Sequence, residues 1–571
     1  MMLNKQVACL LAAAIFCTAI VTCGFAPSVS YAAPQPEPVF TAGEVHSGDG
    51  MAELLWQWND EVVKLEGVKG LKVYRLRTGD EMAFRVDPIV LVKDCGMDTS
   101  LRIEDLQNGR QYVYFLHTYN AEGKELPRAM LLARPGLDPQ GVPQAVKNLY
   151  AVSGNGAVGI FWDIPEERDV VGYEFSRKAR GDADYTLLAR FPLFVKGKMG
   201  QGDKAAPLPI QRPGFFRDVT LADGHDYWYR IRVADSEGNL SVAAEVGPVR
   251  TSAARPPLAE DVLLIARKGD DASLRVARHY AAKRNIPEKR ILQVSIPKGS
   301  HLYRNHQVLN PVREHLLNST ENGIPLAAQV RVIVPCYGIP LRDGKRGIDS
   351  MLTDLFDRYT WGRQMGTPNP MFQKDGNFDP SHGLYLVTRL DGESEEAAKA
   401  LVDKAVQAEK TVKVAETFAV VTKEKLVTGI EEAASRHNVA LDFKPLAYTR
   451  DNDLPENTMW FYGSGHPYRA LRKTQWPVGA VAAFLKSDTL ARLSADADYW
   501  VPGLLREGVT ATFGAVAEPY VEGYTRGDVF FDRFWSGKYS FAEAMFMATP
   551  TVRWMMCGVG DPLYRLSGNE Q

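Results

Sequence analysis

Thr458-Met459-Trp460-Phe461-Tyr462 runs straight into Gly463-Ser464-Gly465-His466, and the reading of this stretch decides the fold. A short apolar strand ends in a glycine-rich polar corner, and the pattern follows twice more in one direction. Gly479 to Leu485 is a second apolar run, closed by Lys486-Ser487-Asp488. Val509 to Val516 is a third, closed by Glu518-Pro519-Tyr520. With the polar residues always after the strand, a parallel sheet puts all three corners at its carboxyl edge, where open α/β folds bind ligands. The stretch closes on Gly558-Val559-Gly560-Asp561-Pro562-Leu563-Tyr564-Arg565.

Upstream, strands alternate with helices from Asp261 onward. Val262–Ile265, Ile291–Ile296, Val330–Val334, Leu384–Val387 and Thr417–Val421 read as strands. Ser273–Arg284, Ser394–Glu409 and Glu424–His437 carry helical spacing. This alternation predicts an α/β domain over 258–567 with a mostly parallel sheet and helices on both faces. Val330–Val334, Met459–Tyr462 and Val481–Leu485 are expected in one sheet. Trp361 to Ser381 has no periodicity and is expected to be a long loop over the carboxyl edge.

The N-terminal half has a different texture. Residues 36–136 and 144–252 alternate like strands, and Leu106-Gln107-Asn108-Gly109-Arg110-Gln111-Tyr112 returns as Leu221-Ala222-Asp223-Gly224-His225-Asp226-Tyr227. A tyrosine at that place in a sandwich ties its hydroxyl back to nearby backbone. The two segments resemble fibronectin type III domains. The second carries an insertion from Phe191 to Phe216, and the first is irregular over Val62 to Gly70. Proline-bearing linkers, Pro135 to Pro143 and Ala253 to Pro257, separate the parts. The fold class expected is therefore multidomain: two all-β sandwiches, then the α/β domain. The sandwiches act as spacers or as binding modules.

At 571 residues the chain is too long for one core. Its net charge of −2 gives no bulk attraction to nucleic acid. Lys5, the apolar run Val7 to Val21 and Ser30-Tyr31-Ala32 read as an export signal over residues 1–32, with no later membrane span. Cys23 offers a rival lipid-attachment reading. The protein is expected to be exported, to the periplasm, cell surface or medium. Cleavage leaves Cys95, Cys336 and Cys557, without paired spacing, as three buried thiols or with Cys336 bridged to Cys557. No metal or redox motif occurs, so neither a metal nor a cofactor is expected.

Several polar residues are candidates for chemistry. His466, after a strand and two glycines, suits a general base, and Ser487, at the end of the next strand, suits a nucleophile. Serine there is equally a helix cap. Arg389, Asp391 and Glu518 end strands and could bind substrate, although Arg389 and Asp391 also suit a mutual pair or a helix cap. Asp561 reads as a turn acceptor and Ser540-Phe541-Ala542-Glu543 as a capping box. His382-Gly383 precedes its strand and so falls at the wrong edge.

The order strand-Gly-x-Gly-His, apolar strand, Gly-rich strand, helix Phe541-Ala542-Glu543-Ala544 and Gly560-Asp561-Pro562 resembles the gingipain-type cysteine peptidases of the caspase-like group. That resemblance implies a histidine at His466 and a cysteine nucleophile after the next strand. Here Pro467 replaces the glycine after the histidine, Ser487 stands near the cysteine's place, and no cysteine lies between Cys336 and Cys557. Residues 261–566 also resemble an uncharacterised family of exported bacterial proteins, through Tyr337-Gly338-Ile339-Pro340-Leu341, Tyr385 to Gly392, Ala517-Glu518-Pro519-Tyr520 and Gly560 to Tyr564. Three classes of function follow: a divergent hydrolase, a pseudoenzyme binding a peptide, protein or glycan, or a non-catalytic adhesion or scaffold protein whose sandwiches bind the partner.

Overall fold

The computed structural model describes residues 40–48, 50–76, 89–107, 112–133, 135, 143–163, 170–192, 197–199, 206–208, 214–219, 221–235, 239–296, 304–356, 366–422, 429–444, 454–464, 476–494 and 499–567. The expected export signal, Cys23 and His466 lie outside them.

Antiparallel sheets fill the N-terminal half. The first segment has a three-stranded sheet, Phe40–Gly48, Met51–Trp58 and Ser100–Ile103. Its four-stranded sheet runs in the order Ile89–Gly96, Val68–Leu76, Tyr112–Asn120, Glu125–Ala133. Alternate residues Ala52, Leu54 and Trp56 from one sheet and Leu71, Val73, Tyr114 and Leu116 from the other fill one core, as period-2 strands packed face to face require. The Tyr112 hydroxyl accepts the Gln107 N–H at 2.8 Å, which is the expected corner. The irregular stretch contains a short helix, Asp60–Leu65.

The second segment repeats that strand order. Phe215–Val219, Ala157–Asp163 and Lys147–Gly154 form one sheet, and Thr186–Pro192, Val170–Ala179, Asp226–Asp235 and Ala244–Arg250 the other. In both copies the repeated leucine donates its N–H to a turn glycine, Leu106 to Gly50 at 2.8 Å and Leu221 to Gly156 at 2.9 Å. A three-stranded and a four-stranded antiparallel sheet with the same strand order occur in both segments, which is the fibronectin type III-like strand order.

The chain divides into two compact units. One holds the first segment with Trp162–Pro213 and Tyr227–Gly247, and the other holds Tyr150–Phe161, Gly214–Asp226 and Pro248–Gln571. Within the second unit, Tyr150, Val152 and Phe161 share a buried core with Leu263, Ile265, Ile333 and Tyr385. Arg217 closes the seam with hydrogen bonds to Asp379 at 2.6 Å and Ser381 at 2.8 Å. The strand Ala157–Asp163 passes so close to Ser381 that a Cβ on Gly159 would stand 2.1 Å from its carbonyl oxygen.

The α/β strands are β1 (Val262–Arg267), β2 (Ile291–Val294), β3 (Val332–Pro335), β4 (Leu386–Val387), β5 (Phe418–Thr422), β6 (Ala440–Lys444), β7 (Thr458–Ser464), β8 (Val481–Leu485), β9 (Ala511–Ala515) and β10 (Met556–Val559). They form a parallel four-stranded sheet, β2-β1-β3-β4, and a six-stranded sheet, β6-β5-β7-β8-β9-β10, parallel except between β9 and β10. Both are buried on both faces. Leu264 and Val334 point into one core and Leu263 and Ile333 into another. Trp460 and Tyr462 likewise part from Phe461. Such strands read as continuous apolar runs.

One expectation needs correction. The three central strands do not share one sheet: β3 lies in the four-stranded ladder, β7 and β8 in the six-stranded one. β4 is only two residues long, and beyond it the chain keeps β3 on one side and gains β10 on the other. Leu390 N–H bonds to Pro335 O at 3.0 Å, whereas Arg389 bonds the other way, its N–H to Gly558 O and its C=O to Gly560 N–H, both at 2.9 Å. The single bridge from Arg389 to Val559 joins the ladders. The described part of the 361–381 stretch runs beside the carboxyl end of β9, where a Cβ on Gly366 would stand 2.9 Å from Trp554, the residue that bonds to Pro519 O. Thr367–Pro368 pairs with Thr551–Val552, and Asn369 caps the end of helix Phe541–Ala548 by donating to Phe546 O and Thr549 O at 2.8 and 3.0 Å.

The seam predicts that Gly159→Ala destabilises the chain by about 1–3 kcal/mol through overpacking, measured by urea unfolding. An unchanged midpoint would show that the contact with Ser381 O yields freely.

Candidate functional site

Directions decide which corners meet. The strands β5, β7, β8 and β9 run parallel, so the corners after β7, β8 and β9 share an edge, as expected from the sequence. The bridge at Arg389 pairs parallel to β10, and β10 runs antiparallel to β9. The carboxyl edge of the four-stranded sheet is therefore opposite to that of the six-stranded sheet. Arg389 and Asp391 are not at the edge that carries Ser487 and Glu518.

At that edge β7 and β8 are paired up to Ser464 and Leu485. The chain then turns through Asp488, at φ +60°, and runs back along the end of β9. Leu490 N–H bonds to Ala515 O at 2.9 Å, and Ala515 N–H to Thr489 Oγ1 at 3.0 Å. This reversal lifts Ser487 to the surface. Its hydroxyl donates to Glu518 Oε2, so it does not cap a helix. Glu518 Oε1 accepts the Tyr520 N–H at 3.0 Å. A serine hydroxyl bonded to a carboxylate has the donor geometry of a nucleophile–base pair. It is equally an array of acceptors facing solvent. His466, the expected base, lies outside the described residues.

The opposite group is closed. Arg389 is fully buried, and all five guanidinium donors are used. Nε and Nη2 grip Asp349 at 2.9 and 2.7 Å, Nη1 meets Asp391 at 2.8 Å and Ile339 O at 3.1 Å, and Nη2 also meets Pro340 O at 3.1 Å. Burial opposes the charged guanidinium, but the two carboxylates outweigh it and hold the arginine protonated. Burial pushes the Asp391 carboxyl up to about 6 against the pull of Arg389. Neither side chain is presented to a substrate, and the mutual pair read from the sequence is what forms. Asp349, the main partner, was not singled out from the sequence. It lies 40 residues earlier with no motif to mark it.

Other candidates resolve as structure. Asp561 accepts the Leu563 N–H at 2.9 Å, the expected turn bond. It also takes the Tyr280 hydroxyl and Arg284 Nε, each at 2.7 Å, from helix α1 (Asp271–Arg284). Ser540 and Glu543 make the expected capping box. His382 ends a short turn at the start of β4, where burial and then Arg217 depress its pKa to about 4.

Cys95, Cys336 and Cys557 are free and buried. Burial pushes all three thiols up, Cys95 to about 11 and the other two further. A nucleophilic cysteine needs the reverse. Among the described residues no group of His, Cys, Asp and Glu could hold a metal ion, and no helix is long and apolar enough to cross a membrane.

No family model matches the chain, and no curated protein matches it. Among solved structures, a two-domain fibronectin type III segment from chicken tenascin is 14% identical, over 36% of this chain and 97% of that one, with a TM-score of 0.15. The FN1–FN3 domains of chicken CNTN1 are 15% identical, over 38% and 69%, with a TM-score of 0.14. At those TM-scores neither adds to the strand order described above.

The raised Asp391 carboxyl carries a pH signature. A folded-state pKa above the unfolded value of ~3.9 means that the fold favours the protonated form. That contribution is complete below about pH 4 and is lost as pH rises through about 6. Asp391→Asn stays neutral throughout. Its stability relative to wild type should therefore rise by about 2–3 kcal/mol between pH 4 and pH 7, read from urea titrations. A difference that stays flat with pH would show that Asp391 titrates normally.

Proposed function

We propose that the chain is an exported multidomain binding protein whose α/β domain engages a peptide or glycan at the carboxyl edge of the six-stranded sheet, without thiol chemistry. The observation that carries this reading is the solvent-facing Ser487–Glu518 hydrogen bond. It sits where parallel strands bring their polar corners together, while every described cysteine is buried. The reading treats Arg389 and Asp391 as framework. It places the ligand's donors on Glu518 and on the free acceptor positions of Ser487.

Hydrolysis by Ser487 with Glu518 as proton acceptor is a special case of the same reading, since the hydroxyl proton already points at a carboxylate. Adhesion through the first sandwich is the second reading. It is favoured by the cluster on the outer face of the four-stranded sheet, where Glu125 accepts from Lys72 at 2.8 Å and from the Tyr74 hydroxyl at 2.7 Å.

The test uses the chain without residues 1–32, screened against peptide, ester and glycan libraries. Binding, or any turnover, should survive alkylation with iodoacetamide. It should weaken roughly 10-fold or more in Glu518→Gln, as expected for loss of a charge-assisted hydrogen bond. Ser487→Ala should weaken it too, and should abolish turnover if Ser487 is the nucleophile. Thiol-dependent cleavage would overturn the proposal. Binding that ignores Glu518→Gln and follows Glu125→Gln would move the function to the first sandwich.

A further inference from the structure

Beside the Ser487–Glu518 pair, Tyr520 breaks two rules at once. Its backbone lies at φ +57°, ψ +169°, a region that only glycine adopts without strain. Its side chain is 53% exposed, and that of Val521 is 56% exposed. Exposed aromatic residues are ordinary, and strained ones are usually held by burial. Among the described residues, the hydrogen bonds that restrain this one act on its backbone.

The restraints all act on the peptide. Glu518 Oε1 takes the Tyr520 N–H at 3.0 Å. Pro519 O, which precedes it, accepts the buried Trp554 indole N–H at 3.2 Å. Tyr520 O accepts the Gly523 N–H at 3.2 Å. Gly523 has no room for a side chain, because a Cβ there would lie 3.0 Å from Pro519 and 3.1 Å from Trp554. The loop is thus braced from three sides to hold an aromatic ring out in water, next to a carboxylate and a hydroxyl.

We propose that Tyr520 is the stacking platform of a carbohydrate subsite, with Glu518 and Ser487 taking the sugar hydroxyls. This rests on the reading of the edge as a binding surface and names its ligand class. A pyranose has an apolar C–H face that covers an aromatic ring, and hydroxyl donors around its rim. Each Glu518 oxygen already accepts one bond and keeps room for another, since an ionised carboxylate has about four acceptor positions. Ser487 Oγ has spent its proton on Glu518 and can still accept. Val521 extends the apolar surface.

The experiment is calorimetric titration of the chain lacking residues 1–32 with cellotetraose, maltotetraose and chitotetraose, alongside a library peptide. At least one sugar should bind, and Tyr520→Gly should weaken it about 10-fold or more, since a lost aromatic stack is of that order. Tyr520→Phe should keep the affinity. Tyr520→Gly should also unfold at the same or a higher urea concentration than wild type, because glycine accepts this backbone without strain. Affinity unchanged in Tyr520→Gly, or a large fall in its unfolding midpoint, would overturn the platform. If a peptide binds in a Glu518-dependent way and none of the three sugars does, the carbohydrate proposal fails while the binding-edge reading stands. If neither class binds, both fail.

Discussion

Arg389 is the constraint on which the α/β domain depends. Burying a guanidinium costs several kcal/mol unless its charge is matched and its donors are filled. Here two carboxylates and two carbonyls fill them. Among the described residues, its backbone is also the bridge between the two ladders. Thr388 reinforces the join, its hydroxyl donating to Gly560 O at 2.9 Å. Side chain and main chain therefore act at one point. The side chain gathers the segments at 339–340, 349 and 391, and the main chain ties them to β10. Removing Asp349, which takes two of the guanidinium bonds, leaves the buried charge underpaired.

That join also sets direction. Because β4 meets β10 in parallel and β10 runs against β9, the two sheets turn their carboxyl edges opposite ways. One edge is occupied by the Arg389 network and is closed. The other, after β8 and β9, is open to solvent and carries Ser487, Glu518 and Tyr520. The polar residues that sequence places after strands thus divide into a structural set and an exposed set. Topology makes the division, and residue type does not.

The strands themselves were legible. Runs such as Val481–Leu485 and Ala511–Ala515 are apolar on both faces, which parallel strands between helices require, and the corner tyrosine at Tyr112 follows from its spacing to Leu106. That the corners of Ser487 and Glu518 share an edge followed from strand order, whereas their mutual hydrogen bond did not. The second neighbour gained after Val387 was not legible, because a two-residue strand leaves no periodicity to read. Asp349 and Tyr280 were not legible either. Each is an ordinary helical residue locally, and its role comes only from a partner far along the chain, Arg389 for one and Asp561 for the other. His466 and Ser487 drew attention through glycine and strand position. Tyr520 carried a fainter signal, a large residue after Glu518-Pro519, where the turn demands glycine-like backbone.

Native-state hydrogen exchange tests the division of labour most directly. The amides of Arg389 and Gly560 should exchange only through global unfolding, together with the core strands of both sheets, while those of Ser487 and Asp488 at the open edge exchange through small local openings. Release of β1–β4 from β5–β10 in a separate, lower-energy step, with Arg389 exchanging along with it, would show that the buried arginine does not hold the two sheets together.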